Sequence, residues 1–178
     1  MIITKKDWYY VFELALAITV ATSMLLYGLG KPTQFDNTIF LQKKVADLRG
    51  MELMWAFYGY TKTYPIIIGV FEIIGGLLLV GDKTRIAGAG ILTAILLNVI
   101  LQDVFYGVNE GALKAAVIYQ FLILIIFYRK RKLLLATVIF YLQQIKKTSV
   151  TFKKQTLLVV IGFIAAVCFK LIESFLTH

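Results

Sequence analysis

Polar residues along the chain are too sparse in most windows to set a helical or strand period, and they gather in clusters that separate long apolar runs. Runs of about 18 or more mostly apolar residues can cross a hydrocarbon core. Five spans are predicted, at residues 8–29, 65–80, 86–106, 112–128 and 156–176, the second and fourth being short. Lys5 and Lys6 before the first span also suit a signal peptide. Its apolar stretch is longer than a signal core of about 7–15 residues, however, and no small-x-small cleavage pattern follows, which favours a span.

Composition agrees with that pattern. The chain of 178 residues is 60% hydrophobic and 14% aromatic, with a mean hydropathy of +0.80. A soluble domain is far more polar. The expected fold is therefore all-α and polytopic. A bundle occupies residues 1–128 (outer loop 30–64), a basic connection residues 129–155 and a fifth span residues 156–178.

Charge then sets a topology. Lysine and arginine concentrate in short cytoplasmic loops, and the connection after the fourth span holds Arg129, Lys130, Arg131, Lys132, Lys146 and Lys147 with no acidic residue. Placing it in the cytoplasm puts the N-terminus inside, with Lys83 and Arg85, and puts Asp103, Glu110 and the C-terminal His178 outside. The net charge of +9 is then mostly a topology signal, and a cluster lying between apolar spans is no nucleic-acid surface. The six basic residues are candidates for contact with anionic lipid. Between them, residues 133–142 are too short to span, and fit either an interfacial helix or a continuation of the fourth helix.

The outer loop of 35 residues, 30–64, is too long for a turn. Asp36, Asn37 or Thr38 can cap an amphipathic helix with Leu41, Val45 and Leu48 on one face and Gly50 at its C-terminal cap. The aromatic stretch after it, with Trp55, Tyr58, Tyr60 and Tyr64, is either an interfacial anchor or a lid.

One carboxylate, Glu72, interrupts the second span. At about 1.5 Å per residue it lies some 10 Å from the span's outer end, level with Asn98, Tyr119, Gln120, Thr22, Ser23 and Lys170 on the other spans. Gly69, Glu72 and Gly76 share one stripe of the second helix, and Gly88, Ile91, Ile95, Asn98 and Gln102 share one of the third. Packing these stripes together would bury Glu72 beside Asn98. A charge in a membrane is normally paired or set in a wet cavity, so a polar layer inside the outer half of the bundle is expected. Lys170 either pairs with Glu72, snorkels to the interface, or pairs with Glu173. Glu13 is expected to face cytoplasmic water or the nearby lysines.

Several chemistries are weakened or excluded. A lone Cys168 cannot form an intrachain disulfide or redox pair, and a lone histidine leaves no bis-histidine haem or metal cage. No metal site is expected. The glycines of "GAGIL" fall inside a span, where a dinucleotide loop has no place.

Residues 57–108, "FYGYTKTYPIIIGVFEIIGGLLLVGDKTRIAGAGILTAILLNVILQDVFYGV", resemble the DoxX-like family of small bacterial membrane proteins. The features that match are "FYGY", G-x-x-E-x-x-G-G-L-L-L, a short turn carrying "KTR" then "GAG", and "LN" followed by an acidic residue and "FYG". The resemblance implies a four-helix bundle in the bacterial inner membrane, with Glu72 and Asn98 in its interior and no assigned catalytic role. The fifth span and its basic connection depart from that pattern. Some relatives are associated with quinone-linked redox systems and others with maturation of partner proteins. The expected function is an accessory or binding protein without independent catalysis. It would hold a quinone or lipid, or support another membrane protein or a second copy of itself. The alternatives are a membrane subunit of a quinone-linked oxidoreductase, and a small transporter or channel with Glu72 in its path.

Overall fold

A computed structural model describes residues 3–35, 38–144 and 151–177. Those residues form six α-helices: α1 (Lys5–Gln34), α2 (Gly50–Gly59), α3 (Thr63–Val80), α4 (Arg85–Tyr106), α5 (Glu110–Gln144) and α6 (Phe152–Thr177). All but α2 are long and apolar enough to cross a membrane. Residues 1–134 and 135–178 form two separate units.

In the first unit α3 lies between α1 and α4, and both crossings depend on missing side chains. A Cβ on Gly28 of α1 would come 2.6 Å from the Gly69 carbonyl oxygen of α3, and one on Gly69 would come as near to the Gly28 oxygen. Lipid tails are as apolar as leucine, so helices in a bilayer associate through close contact of this kind rather than through apolar burial. The stripe carrying Gly69, Glu72 and Gly76 therefore faces α1, not the third span as the sequence suggested; the α4-facing side of α3 carries Gly75, beside Leu92. Below these crossings Ala17, Val20, Leu79, Leu92, Ile123 and Ile126 are fully buried, a core to which α5 contributes. Large apolar side chains such as Leu26, Phe71, Leu77, Leu97 and Phe121 are exposed, the outward-facing apolar surface a bilayer requires.

Two elements differ from expectation. Residues 38–48 form two short 3-10 helices, Thr38–Gln42 and Val45–Asp47, instead of one amphipathic helix. Leu41 and Val45 stay exposed, so no buried apolar face holds an α-helix together there, and Lys44 is extended. Asp36, Asn37 and the Thr38 side chain lie outside the described residues. Gly50 opens α2 rather than closing a helix. A Cβ there would collide with the Tyr106 carbonyl, so this glycine lets α2 begin against the end of α4. The left-handed helix terminator is Gly107, φ 58°, which ends α4.

The fourth span continues without a break through residues 133–142 to Gln144, which is the continuation geometry of the two alternatives. At 35 residues it extends about 50 Å, well beyond a hydrocarbon core. In the second unit, α6 has no buried residue.

Candidate functional site

Charged groups occupy both ends of the first unit. At the end holding the α3–α4 turn, Gly81–Thr84, the chain caps itself. Thr84 Oγ1 donates to the Leu78 carbonyl (2.7 Å), while Arg85 Nε and Nη2 donate to those of Leu79 (3.1 Å) and Val80 (3.0 Å). Three of the last four carbonyls of α3, which have no partner within the helix, are thus satisfied, and a cation sits at the negative end of its dipole. Arg85 is fully buried. Its Nη1 donates to Glu13 (2.6 Å) and Asp82 (3.0 Å).

Glu13 also binds Arg129 (3.1 Å) and Lys130 (3.1 Å), so one buried carboxylate joins α1, α4 and α5. This corrects the solvent-facing alternative for Glu13 while agreeing with a basic neighbour. Two of the lipid-contact candidates are also engaged within the bundle. Arg129 is committed to Glu13 and the Tyr9 carbonyl, and Lys130 to Glu13 and Asp82. Arg131 lies over the Tyr128 ring (4.1 Å) and is exposed, as is Lys132. Lys146 and Lys147, with His178, lie outside the described residues.

The opposite end opens into a cavity of about 500 Å³ between α1, α2, α3 and α4. That volume is typical of small-molecule sites. Phe35, Trp55, Tyr58 and Tyr64 form one wall. Phe35 and Tyr58 stack at 4.8 Å between ring centres, Tyr58 and Tyr64 at 5.6 Å, and Trp55 meets Phe35 edge-on at 5.1 Å. Tyr58 is brought inward because α2 is a helix: Met54 and Tyr58, four apart, share its buried face. The Tyr58 hydroxyl donates to Gln102 Oε1 (2.9 Å) and accepts from Gln102 Nε2 (2.6 Å), which also donates to Asn98 Oδ1 (3.1 Å). Burial pushes the Tyr58 phenol above its ordinary pKa. Tyr60 is exposed and does not line the cavity.

Glu72 is buried on another wall, and its cation is Lys31 of α1, at 3.3 Å. The Lys170 ammonium binds both Glu173 oxygens at 2.8 Å, a local contact on α6. Because the glycine crossing turns Glu72 toward α1, the partner comes from that helix, whose last turn reaches Lys31. Asn98 lines the same cavity but is exposed rather than packed beside Glu72. Tyr119 and Tyr27 border a smaller adjoining cavity of about 90 Å³ that shares Lys31 and Glu72, with their rings 6.5 Å apart. The remaining members of the expected layer fall elsewhere. Gln120 is buried and bonds Thr93 (3.4 Å), Ser23 bonds the Thr19 carbonyl of its own helix, and Thr22 is exposed.

Residues absent from the expected layer complete the site: Lys31, Gln102 and Asp103. Asp103 is buried one turn before the end of α4. Its Oδ2 and Glu72 Oε2 have no hydrogen-bond partner among the described residues. No group of three or more potential metal ligands occurs among them.

Five apolar helices, a lipid-facing apolar surface and charges confined to the interior or the ends define a helical, multi-pass membrane protein. A 107-residue stretch is 29% identical to the uncharacterized protein YwoB of Bacillus subtilis (strain 168), covering 59% of this chain and 69% of that one. No family model matches the chain, and no solved structure does.

Proposed function

We propose that this chain is a DoxX-like protein of the bacterial cytoplasmic membrane that holds a small amphiphile, a lipid or a quinone, in the cavity between α1, α2, α3 and α4. It does so as an accessory or binding protein without catalysis of its own. The basic end is cytoplasmic, as short lysine- and arginine-rich connections are. The N-terminus is then inside, the C-terminus outside, and the cavity in the outer leaflet half.

One observation carries this reading: an apolar, aromatic-walled cavity of about 500 Å³ with a few converging polar groups, set inside a membrane bundle. A second cavity of about 490 Å³, lined by Leu53, Phe57, Leu101, Phe105 and Tyr106, shares Met54, Asn98 and Gln102 with the first, a suitable bed for an apolar tail. A binding role is favoured over a conducting path because the fully buried core lies between the cavity and the Glu13–Arg85 cluster at the basic end.

Mass spectrometry of protein purified in a mild detergent, with Glu72→Ala alongside, tests the reading. A stoichiometric small molecule present in the wild type and lost in the variant is expected. Wild-type protein without any bound small molecule, and a variant that is merely less stable, would return Glu72 to a purely structural role.

A further inference from the structure

The cavity holds two carboxylates and one cation. Glu72 and Asp103 are 3% and 7% exposed, and Lys31 is the one lysine or arginine among the lining residues. Lys31 serves Glu72 Oε1, which leaves Glu72 Oε2 and Asp103 Oδ2 without donors among the described residues. A buried acceptor without a donor is costly, and an unpaired buried charge more so. The other end of the same bundle shows how this chain treats a carboxylate that only holds helices together: Glu13 binds three cations. The deficit at Glu72 and Asp103 is therefore local to the cavity. Its aromatic wall attracts positive charge, since ring faces carry negative potential, and Lys31 already lies over Phe35 at 5.7 Å.

We propose that the head group held in this cavity is an organic cation with N–H donors, a primary or secondary ammonium on an apolar body, which donates to the unpartnered oxygens of Glu72 and Asp103. One positive charge brings Lys31, Glu72 and Asp103 to neutrality. This rests on the cavity-binding reading above and narrows it toward amine-bearing amphiphiles. A quinone head offers only acceptors and leaves both carboxylate oxygens unsatisfied.

Thermal unfolding of the purified full chain in a mild non-ionic detergent, titrated separately with octylamine, octanol and a decyl-substituted benzoquinone, tests the proposal. The same series is run on Asp103→Asn and Glu72→Gln. Saturable stabilisation by octylamine at concentrations about tenfold or more below either neutral probe is expected, with that preference lost in Asp103→Asn. Equal stabilisation by octanol or the benzoquinone overturns the cationic head while leaving a binding cavity in place. No saturable effect from any of the three overturns the cavity reading itself. An amine preference that persists in both variants overturns the assignment to these carboxylates. The wild-type comparison alone decides the first two outcomes, so a variant that fails to fold does not remove the test.

Discussion

At the basic end of the first unit, Glu13 is met by Arg85, Arg129 and Lys130, and the remaining donors of Arg85 go to the carbonyls that end α3. At the α2 end, among the described residues, Glu72 has Lys31 alone as a cation, Asp103 has an oxygen with no donor, and a cavity separates the helices. Both ends carry buried charge in the same bundle. The difference is completeness: a satisfied network fastens helices, and the unsatisfied one beside the cavity is the observation on which the proposed binding role rests.

Glu13→Ala should produce the largest effect. It leaves the fully buried Arg85 without its carboxylate, a loss of about 3–5 kcal/mol of stability. A melting temperature in detergent that did not fall would remove the distinction between the two ends. Lys31→Ala should cost less, about 1–3 kcal/mol, because it strands one carboxylate oxygen in a site that is partly open. Adding Glu72→Gln to that variant should recover part of the loss, and a double variant no more stable than the single one would show that the pair contributes nothing.

Glu72→Gln alone should change stability by only about 1 kcal/mol while abolishing the bound small molecule, read by mass spectrometry. If folding, partner binding and ligand content all stay unchanged, Glu72 has no functional role. A smaller, local effect belongs to Glu52. Its carboxylate accepts from the Arg49 amide and from Lys43, which holds its pKa below the ordinary glutamate value. A depressed carboxylate stabilises above its unfolded pKa, and that stabilisation disappears as pH falls through the folded value. Protection factors of the amides in residues 43–52, taken relative to intrinsic exchange at each pH, should therefore fall in the acid range below the ordinary glutamate pKa, and an acid response no different from that of Glu52→Gln would contradict the assignment. Smallest of all, Lys170→Ala should leave the melting temperature within experimental error, since Lys170 and Glu173 are an exposed pair on one helix.

Much of the layout was legible. Four of the five spans appear within about five residues of their apolar runs, the fourth running on to Gln144, and the stripe of Gly69, Glu72 and Gly76 is a buried, close-packed face. Lys31 was missed because Gly30, Lys31 and Pro32 look like the start of a loop, yet α1 runs to Gln34 with the proline inside its last turns. Arg85 looked like one more loop cation; only the fold back of the Gly81–Thr84 turn carries its guanidinium over the end of α3. Asp103 sits near a helix end, where sequence alone cannot separate a solvated carboxylate from one buried at a cavity wall.

The sequence by itself determined that this chain is helical and crosses a bilayer several times. Span length and apolarity are local properties, and a backbone in hydrocarbon must satisfy its own hydrogen bonds within each helix. Tertiary structure alone decided which charges meet. Glu13 and Arg85 are 72 residues apart and Glu13 and Arg129 are 116 apart. Their pairing, like that of Lys31 with Glu72, follows from how each helix is rotated about its axis, and that rotation is set where glycine backbones touch across helices.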